Sequence, residues 1–207
     1  MSSEMLVTFQ AAAMVLTYPD EELLERLDLI EGSLVGTRSA PLFTETLTHL
    51  RSWPLRTLQE THVQEFDLSR RHAMHLTYWT DGDTRRRGEV LASIKQTYRD
   101  SGLMVDLDGE LPDYLPMVLE FAARGDQERG VAILNTYRAS LELLRLGLKK
   151  DKLPQEGVVE AICRQLPGPL ATSRTDVQKL YGATFLDTPP IEQVGLDTYQ
   201  IQSSRPS

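Results

Sequence analysis

The sequence predicts an all-α protein, a single-domain helical bundle with a loose C-terminal tail. Apolar residues recur at helical spacing through most of the 207 residues, and the alternation that marks a half-exposed strand is absent. A chain of this length with 41% hydrophobic residues can bury one core and is short for two. We therefore expect residues 1–167 to form one helical domain and residues 168–207 to form a flexible tail.

The first half of the chain divides into four predicted helices. The first carries one apolar stripe from Met5 to Leu16 and ends at Tyr18-Pro19, because proline disfavours helical backbone at the residue before it. Asp20 is a good N-cap for the second helix, and Pro54 is suited to begin the fourth. The residues predicted to face the core in the second, third and fourth helices are Leu23, Leu24, Leu27, Ile30, Phe43, Leu47, Leu50, Leu55, Leu58, His62 and Phe66.

The second half contains five further predicted helices. One runs from Ser69 to Trp79, and the next runs from Arg85 to Asp100. Another begins near Asp113, which is a good N-cap for it. The longest follows Gly125, and the last begins at Pro154. The apolar residues that keep helical register along the longest helix are Leu134, Tyr137, Leu141, Leu144 and Leu148.

Composition narrows the possible partners and the compartment. The formal net charge of -8 and the pI near 5.1 disfavour nucleic acid, because neutralising phosphates needs clustered Lys and Arg. No apolar run approaches the roughly 18 residues of a membrane span, and the N-terminus lacks the basic residues of a signal peptide. The single cysteine, Cys163, fits a reducing compartment. We expect a cytoplasmic protein with no nucleic-acid partner and no direct membrane insertion.

The sequence contains no motif for a metal, a cofactor or a covalent catalyst. His72 and His75 are three residues apart, but no further His or Cys follows at ligand spacing. Asp106-Leu107-Asp108-Gly109 indicates a turn rather than a calcium loop, because its glycine comes fourth instead of sixth. Cys163 lies on an apolar stripe and is expected to be a small core residue. We predict no cofactor, no metal site and no catalytic residue.

The acidic residues leave one alternative of another class. A helical enzyme could use paired carboxylates together with a divalent metal. The carboxylates available for it are those of Asp81, Asp83, Asp106, Asp108 and Glu110. In an acidic helical protein such side chains usually form solvated faces, so a binding protein is the preferred interpretation.

The run from Glu110 to Phe121 allows two interpretations. The helix in it carries two apolar stripes, one of Leu115, Val118, Leu119 and Ala122 and a second of Tyr114, Met117 and Phe121. Both stripes can pack inward, which would place the helix in the middle of the core. Alternatively, Asp113 and the second stripe can line a groove for an amphipathic segment of another protein, since the flexible Met117 thioether adapts to irregular partners.

The chain from about Leu58 to about Asp126 also resembles a known family. The resembling residues are Phe66-Asp67, Leu76-Thr77-Tyr78, Gly82-Asp83-Thr84-Arg85 with Arg87-Gly88, Tyr98 and the run from Glu110 through Phe121. A weaker likeness extends from Leu16 to Leu23, where Tyr18-Pro19-Asp20 follows the first apolar helix. They are similar to the NarJ-type assembly chaperones of respiratory nitrate reductase, also called the delta subunit. The resemblance implies an all-helical fold of the TorD/NarJ-like type and no enzymatic activity. It implies a cytoplasmic chaperone that binds the N-terminal segment of the nitrate reductase catalytic (alpha) subunit and assists molybdenum cofactor insertion and subunit assembly.

A binding site for this client follows from the same resemblance. Apolar anchors of the client would lie in a groove against aromatic and aliphatic side chains, and carboxylates would select a basic feature or a helix N-terminus. The predicted binding residues are Phe66, Asp67, Tyr78, Tyr98, Glu110, Asp113, Tyr114, Leu115, Met117 and Phe121. His62 and His75 stand where the family has tyrosine or another aromatic residue. The alternative function within this class is that of a sister chaperone for another molybdenum oxidoreductase.

Overall fold

The computed structural model describes residues 2–81, 85–102 and 109–182. Over these ranges the chain has twelve α-helices, one π-helical turn and no strand beyond an isolated bridge between His75 and Tyr114. The elements are α1 Ser3–Leu16, α2 Glu21–Glu25, α3 Leu27–Leu34, α4 Ala40–Ser52, α5 Leu55–His62, the π-helical turn Val63–Asp67, α6 Tyr78–Asp81, α7 Arg85–Asp100, α8 Leu115–Arg124, α9 Gln127–Thr136, α10 Arg138–Asp151, α11 Glu156–Gln165 and α12 Arg174–Tyr181. The all-α prediction is confirmed. No described helix combines the length and the apolar character that a membrane span requires.

Short polar side chains begin several helices. Asp20 caps α2 as predicted, because its Oδ1 accepts a hydrogen bond from the Leu23 backbone N–H at 2.7 Å. Asp126 caps α9 in the same way, accepting from the Arg129 backbone N–H at 3.0 Å. Each cap satisfies one of the N–H groups that the first turn of a helix leaves without a partner. The predicted start of α2 is therefore set by the local sequence.

Helix α1 lies at the centre of the core. It packs against α8, α11 and α3, while α9 covers α8, and α10 packs beside α11. Phe9 and Leu16 of α1 and Leu115 and Leu119 of α8 are fully buried or nearly so. Most of the core residues predicted for the first half are also buried. Two of them, Leu24 and Leu55, are partly exposed. One continuous apolar core thus holds α8 between α1 and α9.

Two glycines bring helices into close contact. A Cβ added at Gly157 of α11 would overlap the carbonyl oxygen of Leu42 in α4. A Cβ at Gly130 of α9 would overlap the Ala122 backbone of α8. Only a residue without a side chain fits such crossings. These glycines therefore determine how closely α11 approaches α4 and how closely α9 approaches α8.

The helix predicted from Ser69 to Trp79 is wrong. In the structure this segment is irregular, and only residues 78–81 at its end are helical. The Leu76 backbone N–H donates to the Asp113 carbonyl oxygen at 3.0 Å instead of bonding within its own segment. A tertiary partner has here overridden the helical pattern of the local sequence.

The longest predicted helix is divided in two. Tyr137, with φ −100° and ψ 24°, separates α9 from α10. Its flanking residues keep their apolar register, and Leu134, Leu141, Leu144 and Leu148 are all buried. The break allows α9 to pack against α8 while α10 packs against α11 and α12. Periodicity did not reveal it, because both helices present apolar residues to the same core.

The segment predicted to be a loose tail contains a packed helix. Helix α12, Arg174–Tyr181, lies against α10 with Val177 fully buried. The Ser173 hydroxyl caps it by accepting from the Asp176 backbone N–H at 3.1 Å. The spacing of Ser173 and Asp176 matches the capping-box pattern that marks the start of a helix. The packed structure therefore continues beyond residue 167, and residues 183–207 lie outside the described residues.

We expect Gly157→Ala to lower the free energy of unfolding by about 1–3 kcal/mol, because the added methyl group forces α11 away from α4. Gly88→Ala is the matched control, since a Cβ at Gly88 of α7 meets nothing within 4 Å. The control should stabilise the protein by about 0.5–1 kcal/mol, because alanine favours helix over glycine. Chemical denaturation measures both variants. Equal stabilisation by the two substitutions would contradict the close crossing at Leu42.

Candidate peptide-binding site

A buried carboxylate, that of Asp113, joins two segments of the chain beneath the candidate site. Asp113 is 0% exposed. Its Oδ2 accepts hydrogen bonds from the Thr77 backbone N–H at 2.9 Å and from the Thr77 hydroxyl at 2.6 Å. Beside it, the Leu115 backbone N–H donates to the Met74 carbonyl oxygen at 2.8 Å. The irregular segment before α6 is therefore held against the start of α8.

Two basic side chains complete the surroundings of Asp113. The Nδ1 atom of His75 lies 3.4 Å from Asp113 Oδ1, and an Arg87 terminal nitrogen lies 3.9 Å from Oδ2. Arg87 Nε also donates to the Thr77 hydroxyl at 3.0 Å. Burial alone raises the pKa of Asp113, but hydrogen bonds from His75 and Thr77 and the His75 charge together bring the pKa below its usual value. Asp113 is thus an ionised structural group.

Asp113 does not cap α8 as the sequence predicted. Helix α8 begins at Leu115, and the residue at its N-cap position is Tyr114, whose side chain makes no capping hydrogen bond. The Asp113 carboxylate bonds to Thr77 instead. Its role is therefore to connect distant segments rather than to terminate a helix.

The outer side of the site is acidic and is centred on Tyr114. We call Asp67, Glu110 and Tyr114 the acidic face, since both carboxylates are exposed and Tyr114 is half-buried. Burial raises the pKa of the Tyr114 phenol, the charges of Glu110 and Asp67 raise it further, and a hydrogen bond with the Thr17 side chain lowers it. The His75 ring packs beside Tyr114 at 5.5 Å between centroids. A neutral phenol thus lies near two carboxylates that sequence separates widely.

Five of the predicted binding residues belong to the core. They are Phe66, Tyr98, Asp113, Leu115 and Phe121, each at most 7% exposed. The Tyr98 hydroxyl donates to the Pro112 carbonyl oxygen at 2.7 Å, and its ring packs against Phe121 at 4.7 Å. The sequence analysis predicted that a client would lie against Tyr98 and Leu115. In this conformation both side chains are buried and a client cannot reach them. These side chains support the acidic face from beneath.

Tyr78 and Met117, the remaining predicted binding residues, are half-buried. Met117 follows Tyr114 by three residues, which places it on the same side of the helix start, and it also packs against the core. Tyr78 begins α6, with its ring 6.1 Å from that of Trp79. Met117 therefore combines a core contact with a partly accessible surface, and Tyr78 is partly accessible beside Trp79.

A small cavity adjoins the acidic face. It has a volume of about 60 Å³, several times the roughly 10–15 Å³ that one water molecule needs by this measure. Its lining is Val15, Thr17, Pro19, His49, Leu50, Leu58, Thr61, His62, Glu65, Phe66, Leu153, Pro154 and Gln155. Thr17 belongs both to this lining and to the surroundings of Tyr114. The acidic face and the cavity are therefore parts of one surface.

The cavity suits an apolar occupant. Burial lowers the pKa of His62 and of His49, although the charges of Asp67 and Glu45 respectively oppose this effect. Both imidazoles are consequently neutral at neutral pH. The exposed Tyr18 ring stands edge-on to His62 at 5.5 Å between centroids and adds an aromatic rim.

Sequence reasoning missed Thr17 and the cavity beside it. The only signal there was the weak family likeness from Leu16 to Leu23, which includes Thr17. The lining comes from four stretches of the chain: the end of α1 with the residues after it, α4, α5 with the adjoining π-helical turn, and the segment between α10 and α11. A cavity assembled from four distant stretches has no periodic pattern by which a sequence could reveal it.

A second buried histidine fixes the π-helical turn that carries Phe66 and Asp67. His72 is 0% exposed, with Nδ1 3.1 Å from Glu65 Oε2 and Nε2 3.0 Å from Asp151 Oδ2. The π-helical turn is thereby tied to the end of α10. His72 and His75 serve separate carboxylates, so their spacing in sequence does not form a shared ligand pair.

The structure does not assemble the alternative carboxylate site from its described members. Asp83, Asp106 and Asp108 lie outside the described residues. Asp81 is 3.4 Å from Arg86 Nε, and Glu110 belongs to the acidic face. Across residues 2–81, 85–102 and 109–182, no group of three or more His, Cys, Asp and Glu side chains could hold a metal ion.

Comparison with known proteins identifies the family. Residues 36–154 match the family described as nitrate reductase delta subunit. The chain belongs to this family. The match covers both carboxylates of the acidic face and all of α8, whereas α1 precedes it and α11 and α12 follow it.

Several proteins of similar sequence align with most of this delta-subunit family chain. The nitrate reductase-like protein NarX of Mycobacterium tuberculosis H37Rv is 39% identical over 158 residues, which are 76% of this chain and 24% of NarX. NarJ of Bacillus subtilis is 33% identical over 151 residues, covering 70% of this chain and 80% of NarJ. NarJ of Escherichia coli K12 is 26% identical over 153 residues, covering 70% and 63%. The chain thus spans about a quarter of NarX.

A solved structure supports the delta-subunit fold. A protein from Archaeoglobus fulgidus described as a redox enzyme maturation protein superposes with a TM-score of 0.60 at 18% identity. The superposition covers 79% of this chain and 94% of the other. At this identity the likeness shows a shared all-helical fold.

We expect Asp113→Asn to lower the free energy of unfolding by about 1.5–3 kcal/mol at pH 7, because hydrogen bonds to a buried charged group are lost. Since the pKa of Asp113 is lowered in the folded state, its stabilisation is present above the unfolded-state pKa of about 3.9 and disappears as the pH falls further. The gap between wild type and variant should therefore narrow from pH 5 to pH 3, to be measured by denaturation at each pH. Glu110→Gln is the exposed control and should change stability by less than about 0.5 kcal/mol. An equal gap at pH 3 and pH 7 would refute the assigned role.

Proposed function

We propose that this delta-subunit family protein is a chaperone that binds the N-terminal segment of the catalytic (alpha) subunit of a respiratory nitrate reductase. In this role it assists molybdenum cofactor insertion and subunit assembly, and it acts in the cytoplasm without catalysing a reaction. Family membership supports the proposal, because the E. coli relative is named a nitrate reductase molybdenum cofactor assembly chaperone. The observation that carries it is the acidic face at Tyr114 beside an apolar cavity.

The cavity supplies affinity by burying one apolar anchor of the client. A helical client segment presents apolar side chains on one face, and one of these enters between Leu58, His62 and Phe66. Burial of a single large apolar side chain contributes about 1.5–3 kcal/mol before ordering costs. The imidazole of His62 is neutral, and the one carboxylate in the lining, that of Glu65, lies 3.1 Å from the His72 ring.

The acidic face supplies orientation. Asp67 and Glu110 carry negative charge near Tyr114 and attract either a basic side chain or the positive N-terminal end of the client helix. Each exposed contact contributes only about 0.2–1 kcal/mol. Their main effect is to fix which end of the client lies at Tyr114, since the apolar anchor alone does not define a direction.

We expect the double substitution Asp67→Asn with Glu110→Gln to weaken client-peptide binding about 3- to 10-fold, because two carboxylates near the basic end are neutralised. Isothermal titration calorimetry with a synthetic peptide from the N-terminus of a nitrate reductase catalytic subunit measures this. A scrambled peptide controls for composition, and the double substitution Glu120→Gln with Glu128→Gln, at two other exposed carboxylates, controls for the change of two in net charge. The wild-type affinity should also fall with added salt.

Two outcomes decide against parts of this function. Unchanged affinity in the double variant removes the acidic face from the site. Binding of a peptide from another molybdenum oxidoreductase, with no binding of the nitrate reductase peptide, assigns the chain to a sister chaperone instead.

A further inference from the structure

Three charged side chains of α10 are buried beneath α12, away from the acidic face. Arg138 and Arg145 are each 3% exposed, and Glu142 between them is 0% exposed. The Glu142 carboxylate accepts from Arg145 Nε at 2.9 Å and lies 2.9 Å from an Arg138 terminal nitrogen. Two cations thus share one central carboxylate in a region without solvent, where each unpaired N–H group costs free energy.

Arg145 has acceptors on every side. Besides Glu142, its guanidinium lies 3.4 Å from Glu156 of α11 and donates to the Ala171 carbonyl oxygen just before α12. These contacts fix Arg145 and the chain at Ala171. The guanidinium of this residue therefore has no spare capacity for a further ligand.

Arg138 differs from Arg145. It has the ion pair with Glu142 and interacts with the side chains of Cys163 and Tyr181, but none of its guanidinium nitrogens has a well-aligned hydrogen-bond acceptor within the described part of the chain. Its planar group is covered by the Tyr181 ring of α12, with the guanidinium carbon 5.5 Å from the ring centroid. The Tyr181 hydroxyl donates to the Pro169 carbonyl oxygen at 2.6 Å. Arg138 is therefore a buried donor group covered by an aromatic ring that provides a cation–π contact.

Helix α12 is a weakly attached cover. Val177 is its one fully buried side chain among the described residues, and it packs on Ala139 and Leu143 of α10. Leu180 remains 45% exposed. A helix with so little buried apolar area opens at a small fraction of the free energy of global unfolding.

We infer that α12 covers a second binding site, in which Arg138 receives a carboxylate carried by an acidic amphipathic helix of a partner protein. The partner helix would occupy the place of α12 and follow its spacing. In α12 the apolar Val177 side chain packs on α10, and the Tyr181 ring, four residues later, covers Arg138. A carboxylate at that second position forms a charge-assisted, two-pronged hydrogen bond with the guanidinium, which is stronger than the resident contact with the ring. The partner helix therefore replaces α12 by better complementarity at Arg138.

The site is distinct from the acidic face but is connected to it. Trp79 packs against both the main core and the small cluster under α12. It also donates from its indole N–H to the Ala73 carbonyl oxygen at 3.0 Å, within the segment that Asp113 holds. The inference does not rest on the client-binding function, and either can fail without the other.

The first test compares Tyr181→Glu with Tyr181→Gln in the full-length protein, because the two substitutions differ in charge and hardly in size. Backbone amides of a helix exchange with deuterium when that helix opens, so native-state hydrogen exchange of α12, Arg174–Tyr181, reports its opening. We expect these amides in Tyr181→Glu to exchange about tenfold more slowly than in Tyr181→Gln, because the carboxylate holds α12 against Arg138.

Equal rates for the two variants would overturn the assignment of Arg138 as a carboxylate receptor. The ratio should also fall towards one when Arg138→Met is combined with each substitution, and circular dichroism first establishes that these proteins are folded. Since that variant can fail to fold, Arg138→Lys is tested alongside it and should reduce the ratio, because lysine lacks the two-pronged geometry. A ratio that is unchanged in a folded Arg138 variant would place the effect elsewhere and refute the site.

The second test adds the ligand as a separate molecule. A fluorescent peptide of residues 170–182 with the Tyr181→Glu substitution is titrated into the full-length Tyr181→Ala protein, in which the cover is weakened, and anisotropy is recorded. The control peptide carries Tyr181→Gln. We expect saturable binding of the acidic peptide with about tenfold higher affinity than the control. No saturable binding, or equal affinities, would show that the surface does not accept a carboxylate-bearing helix.

Discussion

The ionised Asp113 carboxylate in the protein interior is the constraint on which the candidate site depends. A buried charge is tolerated only where hydrogen bonds and opposite charges replace water. Thr77 supplies two of these hydrogen bonds, and His75 lies close to the carboxylate. To provide them, the segment before α6 leaves the helical path that its sequence favours. The position of Tyr114 and the direction of α8 follow from this attachment.

The same two elements carry both buried residues that pack in the core and neighbouring residues that reach the surface. On α8 and on the π-helical turn, Leu115 and Phe66 are buried, whereas neighbouring Tyr114 and Asp67 reach the surface. The His72 contacts with Glu65 and Asp151 hold the π-helical turn in place. A surface fixed in this way would lose little conformational entropy on binding a short segment of another protein, which is consistent with the proposed function.

Much of the helical architecture was predictable, because its signals are local. Asp20 begins α2 as expected, and most of the predicted α1 stripe is buried, although Met5 and Leu6 at its start are partly exposed and α1 also buries residues outside the stripe. The predictions of secondary structure were wrong where contacts between residues distant in sequence determine the backbone conformation. The break at Tyr137 depends on which neighbours α9 and α10 meet, and the segment before α6 depends on Asp113. Helix α12 was not predicted, because proline and glycine residues flank it and indicate a loop, although Ser173 caps it.

The sequence by itself determined the all-helical class and the family, and it indicated the region of the candidate site, because periodicity, caps and a long motif are properties of adjacent residues. It placed Asp67, Glu110 and Tyr114 among the candidates without showing that they meet. Tertiary structure alone separated these surface residues from buried Tyr98 and Leu115, since burial depends on which helices pack together. It also decided the cavity beside Thr17 and the covered guanidinium of Arg138. Both are built from segments far apart in the chain, whose contacts no local pattern encodes.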